Sequence, residues 1–205
     1  MEPKDHWERV YRSKAPQALS WYAPHLRASL GYIEATGLGA EAAVVDVGGG
    51  EATLVDDLVD AGYRHVTVLD ISAKALEVAA LRLGARAARV TWVAADVLAH
   101  RFAAASVDIW HDRAVFHFLT TPEQRQAYVQ QVLHALKPGG YAIVGAFGPN
   151  GPEQCSGLPV MRYGAESLHG VFGERFQLVQ HSVDLHTTPW GAPQEFVYCY
   201  CRRTH

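Results

Sequence analysis

The hydrophobic positions divide the chain into a helical start, an alternating middle and an extended end. Over residues 4–12 they fall at helical spacing, with Trp7, Val10 and Tyr11 on one side. Residues 13–24 have no period and read as a loop carrying Trp21 and Tyr22. Helical spacing returns over residues 25–36 and stops at Gly37, a suitable C-cap. Short apolar runs then alternate with helical windows. Strands are expected at 43–47, 65–69, 90–93, 107–111 and 141–147. Helices are expected at 52–61, 73–83 and 122–136, the first two closed by Gly62 and Gly84 and the third opened by Pro122. Strands separated by helices pair in parallel through right-handed crossovers. A helix at 165–172 follows, then strands at 176–186 and 195–202. The short link between them holds two prolines and a glycine, so the last two strands form an antiparallel hairpin.

Composition narrows the class. The chain has 205 residues, 49% hydrophobic and 19% charged, enough for one well-filled domain and cramped for two. Three parts are expected in it: an N-terminal helical lid at 1–40, a cofactor-binding core at 41–150, and a substrate-side loop with the strand hairpin at 151–205. The net charge of -3 and the lack of a basic stripe argue against a nucleic-acid partner. No apolar run approaches the ~20 residues of a membrane span, and the first residues lack the apolar core of a signal peptide. Cys155, Cys199 and Cys201 are odd in number. They read as reduced thiols of a cytoplasmic protein, and with the histidines they make no metal spacing.

The candidate chemistry starts at A-V-V-D-V-G-G-G-E-A-T, residues 43–53. A strand ends near Asp46, Gly48, Gly49 and Gly50 make a tight turn, and a helix begins. Such a turn lets a ligand lie against the backbone, and the helix N-terminus favours an anionic group. The glycines do not complete G-x-G-x-x-G, because Thr53 stands where a nicotinamide-binding turn has its third glycine. Asp70 and Asp96 end the second and third strand segments, at the sheet edge where ligands of such folds bind. Asp70 can accept from both ribose hydroxyls and Asp96 from an adenine amine, whereas Asp46 more plausibly anchors the glycine turn or a cationic amine. Either Asp70 or Asp96 alone could instead be a turn or helix cap, since Ser72 caps well.

With L-K-P-G-G-Y-A-I-V at 136–144, these pieces resemble the class I S-adenosylmethionine-dependent methyltransferases. V-V-D-V-G-G-G, V-L-D-I-S, A-A-D-V, D-I-W-H-D and L-K-P-G-G occur in order over about residues 43–147. The resemblance implies an α/β, Rossmann-like doubly wound sheet of seven strands, mostly parallel with the last antiparallel, and helices on both faces. It implies S-adenosyl-L-methionine as cofactor and S-adenosyl-L-homocysteine as product. Gly48 and Gly50 would lie along the methionine part, with Asp46, Gly49 and His111 nearby. Asp70 would hold the ribose, and Ile71, Asp96 and Val97 would surround the adenine. Ala52 stands where many members have a further glycine.

Methyl transfer needs mainly alignment, and a base only if the acceptor carries a proton. His111, Asp112 and Arg113 close the fourth strand and are the acceptor-side catalytic candidates, against the alternative of an Asp112–Arg113 structural contact beside a packed His111. Trp21, Tyr22, His25, His117, Cys155 and Arg162 are the substrate-side candidates. Met161 belongs with them, and for His117 and Trp7 a packed role is the preferred reading. Tryptophan-bearing N-terminal helices also occur in methyltransferases for thiols and halides. The expected function is therefore methyl transfer to a small molecule, a thiol or similar soft nucleophile, by a monomer or homodimer. A protein lysine methyltransferase is the alternative, because Asp112-Arg113-Ala114 resembles the D-K-G of some such enzymes. A binding protein that lost turnover is the third reading.

Overall fold

The computed structural model describes residues 2–204. The chain runs α1 (Pro3–Ser13), α2 (Arg27–Ala35), β1 (Ala43–Val47), α3 (Leu54–Asp60), β2 (His65–Asp70), α4 (Ala73–Leu83), β3 (Val90–Ala94), β4 (Val107–Arg113), α5 (Pro122–Ala135) and β5 (Leu136–Phe147). Then follow β6 (Gln154–Cys155), β7 (Leu158–Pro159), α6 (Ala165–Phe172), β8 (Phe176–Thr187) and β9 (Pro193–Arg203). Seven strands form one sheet in the order β3-β2-β1-β4-β5-β9-β8. β1 to β5 pair in parallel, and β9 runs antiparallel between β5 and the edge strand β8. The expected α/β sheet of seven strands is thus present, with the antiparallel hairpin at its end.

Strand alternation builds two cores. Val45, Val47, Trp110, Val144 and Cys199 face α5 and α6, where Tyr128, Val132, Leu168 and Phe172 meet them. Val44, Val66, Val68, Ile109 and Ile143 face the other way, toward Ile33 of α2, Leu54 and Leu58 of α3, and Leu76 of α4. Both faces are covered, so the central strands are almost continuously buried. Local signals agree: Ser72 caps α4 through Ala75 N–H at 3.2 Å, and Thr121 and Gln124 form a capping box over Pro122 at the head of α5.

Three details depart from the sequence reading. β4 continues through Arg113, because Asp112 and Arg113 keep pairing with Val144 and Gly145. β5 already pairs at Leu136, before Pro138-Gly139-Gly140, and a register shift between Val107 and Ile109 absorbs the turn. The β6–β7 hairpin is new; strands of two residues carry no readable period.

Asp112 is part of the core on the α5 side. It accepts from the Tyr128 hydroxyl at 2.6 Å, which in turn accepts from Trp110 Nε1 at 2.9 Å. All three residues are buried. Tyr128→Phe leaves the carboxylate and the indole N–H without this partner. It is expected to cost about 1–3 kcal/mol in urea unfolding; an unchanged midpoint would show that the network does not contribute.

Candidate active site

The strand order reverses between β1 and β4: β2 and β3 lie on one side of this seam and β5 on the other. Successive connections leave in opposite directions there, which opens a crevice at the carboxyl ends of the strands. A cavity of about 270 Å³ occupies that position. Val47 and Gly48 line it from β1, Leu69, Asp70 and Ile71 from β2, and Ala95 to Leu98 from the turn after β3. Arg113, Ala114 and Val115 line it from β4. Trp7 and Tyr11 of α1, with Trp21, cover it from the N-terminal segment; Phe118, Gln124, Cys155, Leu158 and Pro159 are also in the wall.

The glycine turn is shaped by contact. Gly48 has φ +66°, and a β-carbon there would collide with Val115 Cγ2. Gly50 has φ +48°, and a β-carbon would come within 2.7 Å of the Tyr11 hydroxyl and 3.1 Å of Asp70 Oδ2. Both positions demand a residue without a side chain. Gly48 N–H also donates to the Leu69 carbonyl at 2.7 Å, which ties the turn to the neighbouring strand end.

Asp70 is buried at 5% exposure. Its Oδ1 accepts from Ser72 N–H at 2.8 Å, so it both shapes the entry to α4 and faces the cavity. Burial pushes its carboxyl up to about 7; the Ser72 and Gly50 N–H groups oppose this, and the charges of Asp46 and Glu8 add to it. A buried carboxyl surrounded by acids favours a ligand that brings hydrogen-bond donors. Asp96 is exposed and lines the cavity, with Oδ1 held by Leu98 N–H at 2.8 Å. Glu51, next to Gly50, is 3% exposed, and its Oε2 has no hydrogen-bond partner. Burial raises it to about 7 against the pull of Arg82 and Lys74. No feature of its sequence position pointed to it.

The acceptor-side candidates separate. Arg113 reaches the cavity; its guanidinium lies 4.2 Å from the Phe196 ring centre and donates to the Trp21 carbonyl at 3.2 Å. His111 does not line the cavity. It is 1% exposed and bridges Asp46 Oδ1 (Nδ1, 2.7 Å) and Ser29 Oγ (Nε2, 2.8 Å), with Ser29 3.1 Å from the Tyr198 hydroxyl. Asp46 and His111 are register partners on β1 and β4, and their side chains meet beneath α2. Asp46 thus has His111 as its partner, and Gly49 packs against its other oxygen. Asp112 points to the opposite face and accepts from Val115 and Phe116 N–H.

Among the substrate-side candidates, Trp21 and Cys155 line the cavity, and burial raises the Cys155 thiol to about 11. Tyr22 packs behind Trp21 against Tyr11 and Leu19. His25 is exposed and pairs with Asp57 at 2.9 Å, and Arg162 pairs with Glu153 at 3.0 Å; neither lines the cavity. His117 is buried and stacked on Phe147 at 4.4 Å, its ring pushed down to about 3 by burial and Arg113. Trp7, read as core, stands in the cavity wall with Tyr11 one helical turn away. Ala114 has φ +76°, a backbone that suits glycine, at the place where D-K-G sequences carry one.

Comparison with known proteins agrees with this architecture. Residues 44–140 match the model of the methyltransferase domain family. The N-methyltransferase NodS from Bradyrhizobium japonicum WM9, solved with S-adenosyl-L-homocysteine, superposes with a TM-score of 0.76 at 18% identity, covering 98% of each chain. Residues 44–140 belong to that domain family, and the chain around them has the fold of a class I S-adenosylmethionine-dependent methyltransferase. A structure concerned with the conversion of a disulfide bond into a thioacetal group during echinomycin biosynthesis superposes with a TM-score of 0.80 at 22% identity, over 99% of this chain and 93% of the other. The eEF1A lysine and N-terminal methyltransferase of Bos taurus is 27% identical over 144 residues, 68% of this chain. This chain spans about a fifth of the length of that relative. Among the described residues no helix is long and apolar enough to cross a membrane, and no group of three or more His, Cys, Asp or Glu is arranged to hold a metal ion.

The Asp70 carboxyl sets a pH dependence of two opposite signs. Unfolded, it titrates near the usual ~3.9; folded and ligand-free, near 7. Its contribution to stability is therefore fully present below ~4 and lost as the pH rises through 7. A ligand that donates hydrogen bonds to the ionised form gains in the same interval. S-adenosyl-L-homocysteine is expected to bind about tenfold more tightly at pH 8 than at pH 6, and Asp70→Asn to flatten that dependence. Calorimetry at the two pH values decides; an unchanged slope in the variant would remove Asp70 from the account.

Proposed function

We propose that this methyltransferase acts on a small-molecule acceptor with a soft nucleophilic atom, sulfur before nitrogen or oxygen. The observation that carries the reading is the make-up of the cavity wall. Its titratable groups among the described residues are Tyr11, Asp70, Asp96, Arg113 and Cys155. Burial first, then Asp70 and Glu51, hold the Tyr11 phenol well above its usual value. Arg113 is a permanent cation. Cys155 keeps its proton at neutral pH, and no histidine among the described residues lines the cavity.

Asp70 and Asp96 then belong to the cofactor. Asp70 accepts from the ribose hydroxyls, Asp96 serves the adenine amine, and Ile71 and Val97 flank the ring. The Gly48–Gly50 turn receives the methionine part. Bound there, the cofactor supplies a methyl group activated on a sulfonium. With no base beside it, the acceptor must present its own lone pair. A thiol does so through its free thiolate near neutral pH, whereas an alcohol needs a base. Trp7, Trp21 and Phe118 contribute by excluding water and orienting the acceptor.

A protein lysine side chain is the second reading. The 27% identity to the eEF1A lysine and N-terminal methyltransferase favours it, as does the glycine-like backbone at Ala114.

Titration calorimetry is expected to show binding of S-adenosyl-L-methionine and S-adenosyl-L-homocysteine and none of NADH. Labelled methyl groups from the cofactor, incubated with lysate, should then enter a small extractable fraction. Label in protein bands would replace the first reading with the second. Tight cofactor binding without turnover on any acceptor would favour a binding protein.

A further inference from the structure

Among the described residues that line the cavity, Arg113 is the one permanent cation. It is 9% exposed. Its guanidinium lies over the Phe196 ring, donates to the Trp21 carbonyl at 3.2 Å and has the Tyr198 hydroxyl as a further hydrogen-bonding neighbour. A ring face, a carbonyl and a phenol are all uncharged. No carboxylate of the described residues forms an ion pair with it. Asp46 is bound to His111, and Asp112 points to Tyr128 on the opposite face. Asp184 lies across from Phe196 on β8 and makes no such pair. His117 and His186 are held below their usual range, by burial first and by this guanidinium second, so neither adds charge at neutral pH.

A guanidinium carries five donors in a fixed fork and matches a carboxylate with two of them. A buried charge without a counter-charge destabilises a fold, and an apolar side chain would cover Phe196 without that penalty. The arrangement makes sense where a ligand brings the anion. The place is the acceptor end of the cavity. Arg113 enters from the end of β4, against Trp21 and close enough to Cys155 for its field to act on that thiol. Asp70 and Asp96 enter from β2 and from the turn after β3, on the far side of β1. An anion is disfavoured at that end and drawn to the other. One cation balances one carboxylate, whereas a phosphate, with its charge of about -1.5 to -2, calls for more.

We infer that the methyl acceptor carries a carboxylate, that Arg113 binds it, and that the acceptor is a small mercapto acid. This names the substrate class within the soft-nucleophile reading above and rests on it. Arg113 then determines specificity: it holds the charged end of the acceptor and turns the sulfur toward the cofactor. Trp7, Trp21 and Phe118 cover the apolar part between the two ends.

The test uses the full chain saturated with S-adenosyl-L-homocysteine. It is titrated by calorimetry or NMR with 3-(methylthio)propanoate, the S-methyl product of a mercapto acid, and with the uncharged amide of the same compound. The carboxylate is expected to bind about tenfold more tightly. Arg113→Gln should remove the preference and Arg113→Lys keep part of it. With 3-mercaptopropanoate as acceptor, Arg113→Gln should raise KM about tenfold and lower kcat by less. Equal binding of acid and amide, binding of neither, or a preference that survives Arg113→Gln would overturn the inference and leave the methyltransferase reading intact. So would a loss of S-adenosyl-L-homocysteine affinity in Arg113→Gln at an unchanged unfolding midpoint, which would assign the guanidinium to the cofactor's own carboxylate. The acid and amide comparison in the native protein decides even where a variant fails to fold. A native protein that binds no S-adenosyl-L-homocysteine would overturn both readings.

Discussion

The structure depends on one costly arrangement: the carboxyl group of Asp70, buried at the end of β2 with the fields of Asp46 and Glu8 upon it. Such a group is stable only where backbone N–H groups reach it, and Ser72 and Gly50 supply them. Ser72 can do so because it caps α4; Gly50 can because it has no side chain to strike Tyr11. The glycine turn, the strand-to-helix entry and the lid helix therefore meet at one carboxyl group. What strains the ligand-free protein prepares it for a ligand rich in donors.

A second polar device stabilises the opposite flank of the same turn. Asp46, His111, Ser29 and Tyr198 form a buried chain from β1 through β4 and α2 to β9. Asp46 Oδ1, both His111 ring nitrogens, Ser29 Oγ and the Tyr198 hydroxyl each find a partner in it, and such satisfied networks rigidify a core. It also sets where α2, and with it the aromatic segment before it, sits on the sheet. His111 thus acts by holding the frame of the site. Further ties run the same way, from Thr53 to the Ala23 carbonyl at 3.0 Å and from His186 to the Ser20 carbonyl at 2.7 Å.

Much of the fold was legible because neighbouring residues determine it. β1 and α4 have the boundaries read from apolar runs and from glycine and serine punctuation. The meeting of Gly48, Asp70 and Asp96 at one cavity edge was legible because turn and strand ends are local features. The roles that depend on distant partners were not. His111 meets Asp46 and Ser29, which lie 65 and 82 residues away. Alternation alone could not tell that Asp112 points to Tyr128 while Arg113 points to Trp21. Trp7 was readable as one side of a helix, but the side shows nothing of whether it covers core or cavity. Glu51 sits in a turn where charge normally means exposure.

A crystal structure of the protein with S-adenosyl-L-homocysteine tests the central claim most directly. The account predicts both ribose hydroxyls within hydrogen-bonding distance of the Asp70 carboxylate, the adenine beside Ile71 and Val97, and the sulfur turned toward Trp7, Trp21 and Phe118. A ligand seated elsewhere, or an Asp70 carboxylate turned away from it, would contradict the account.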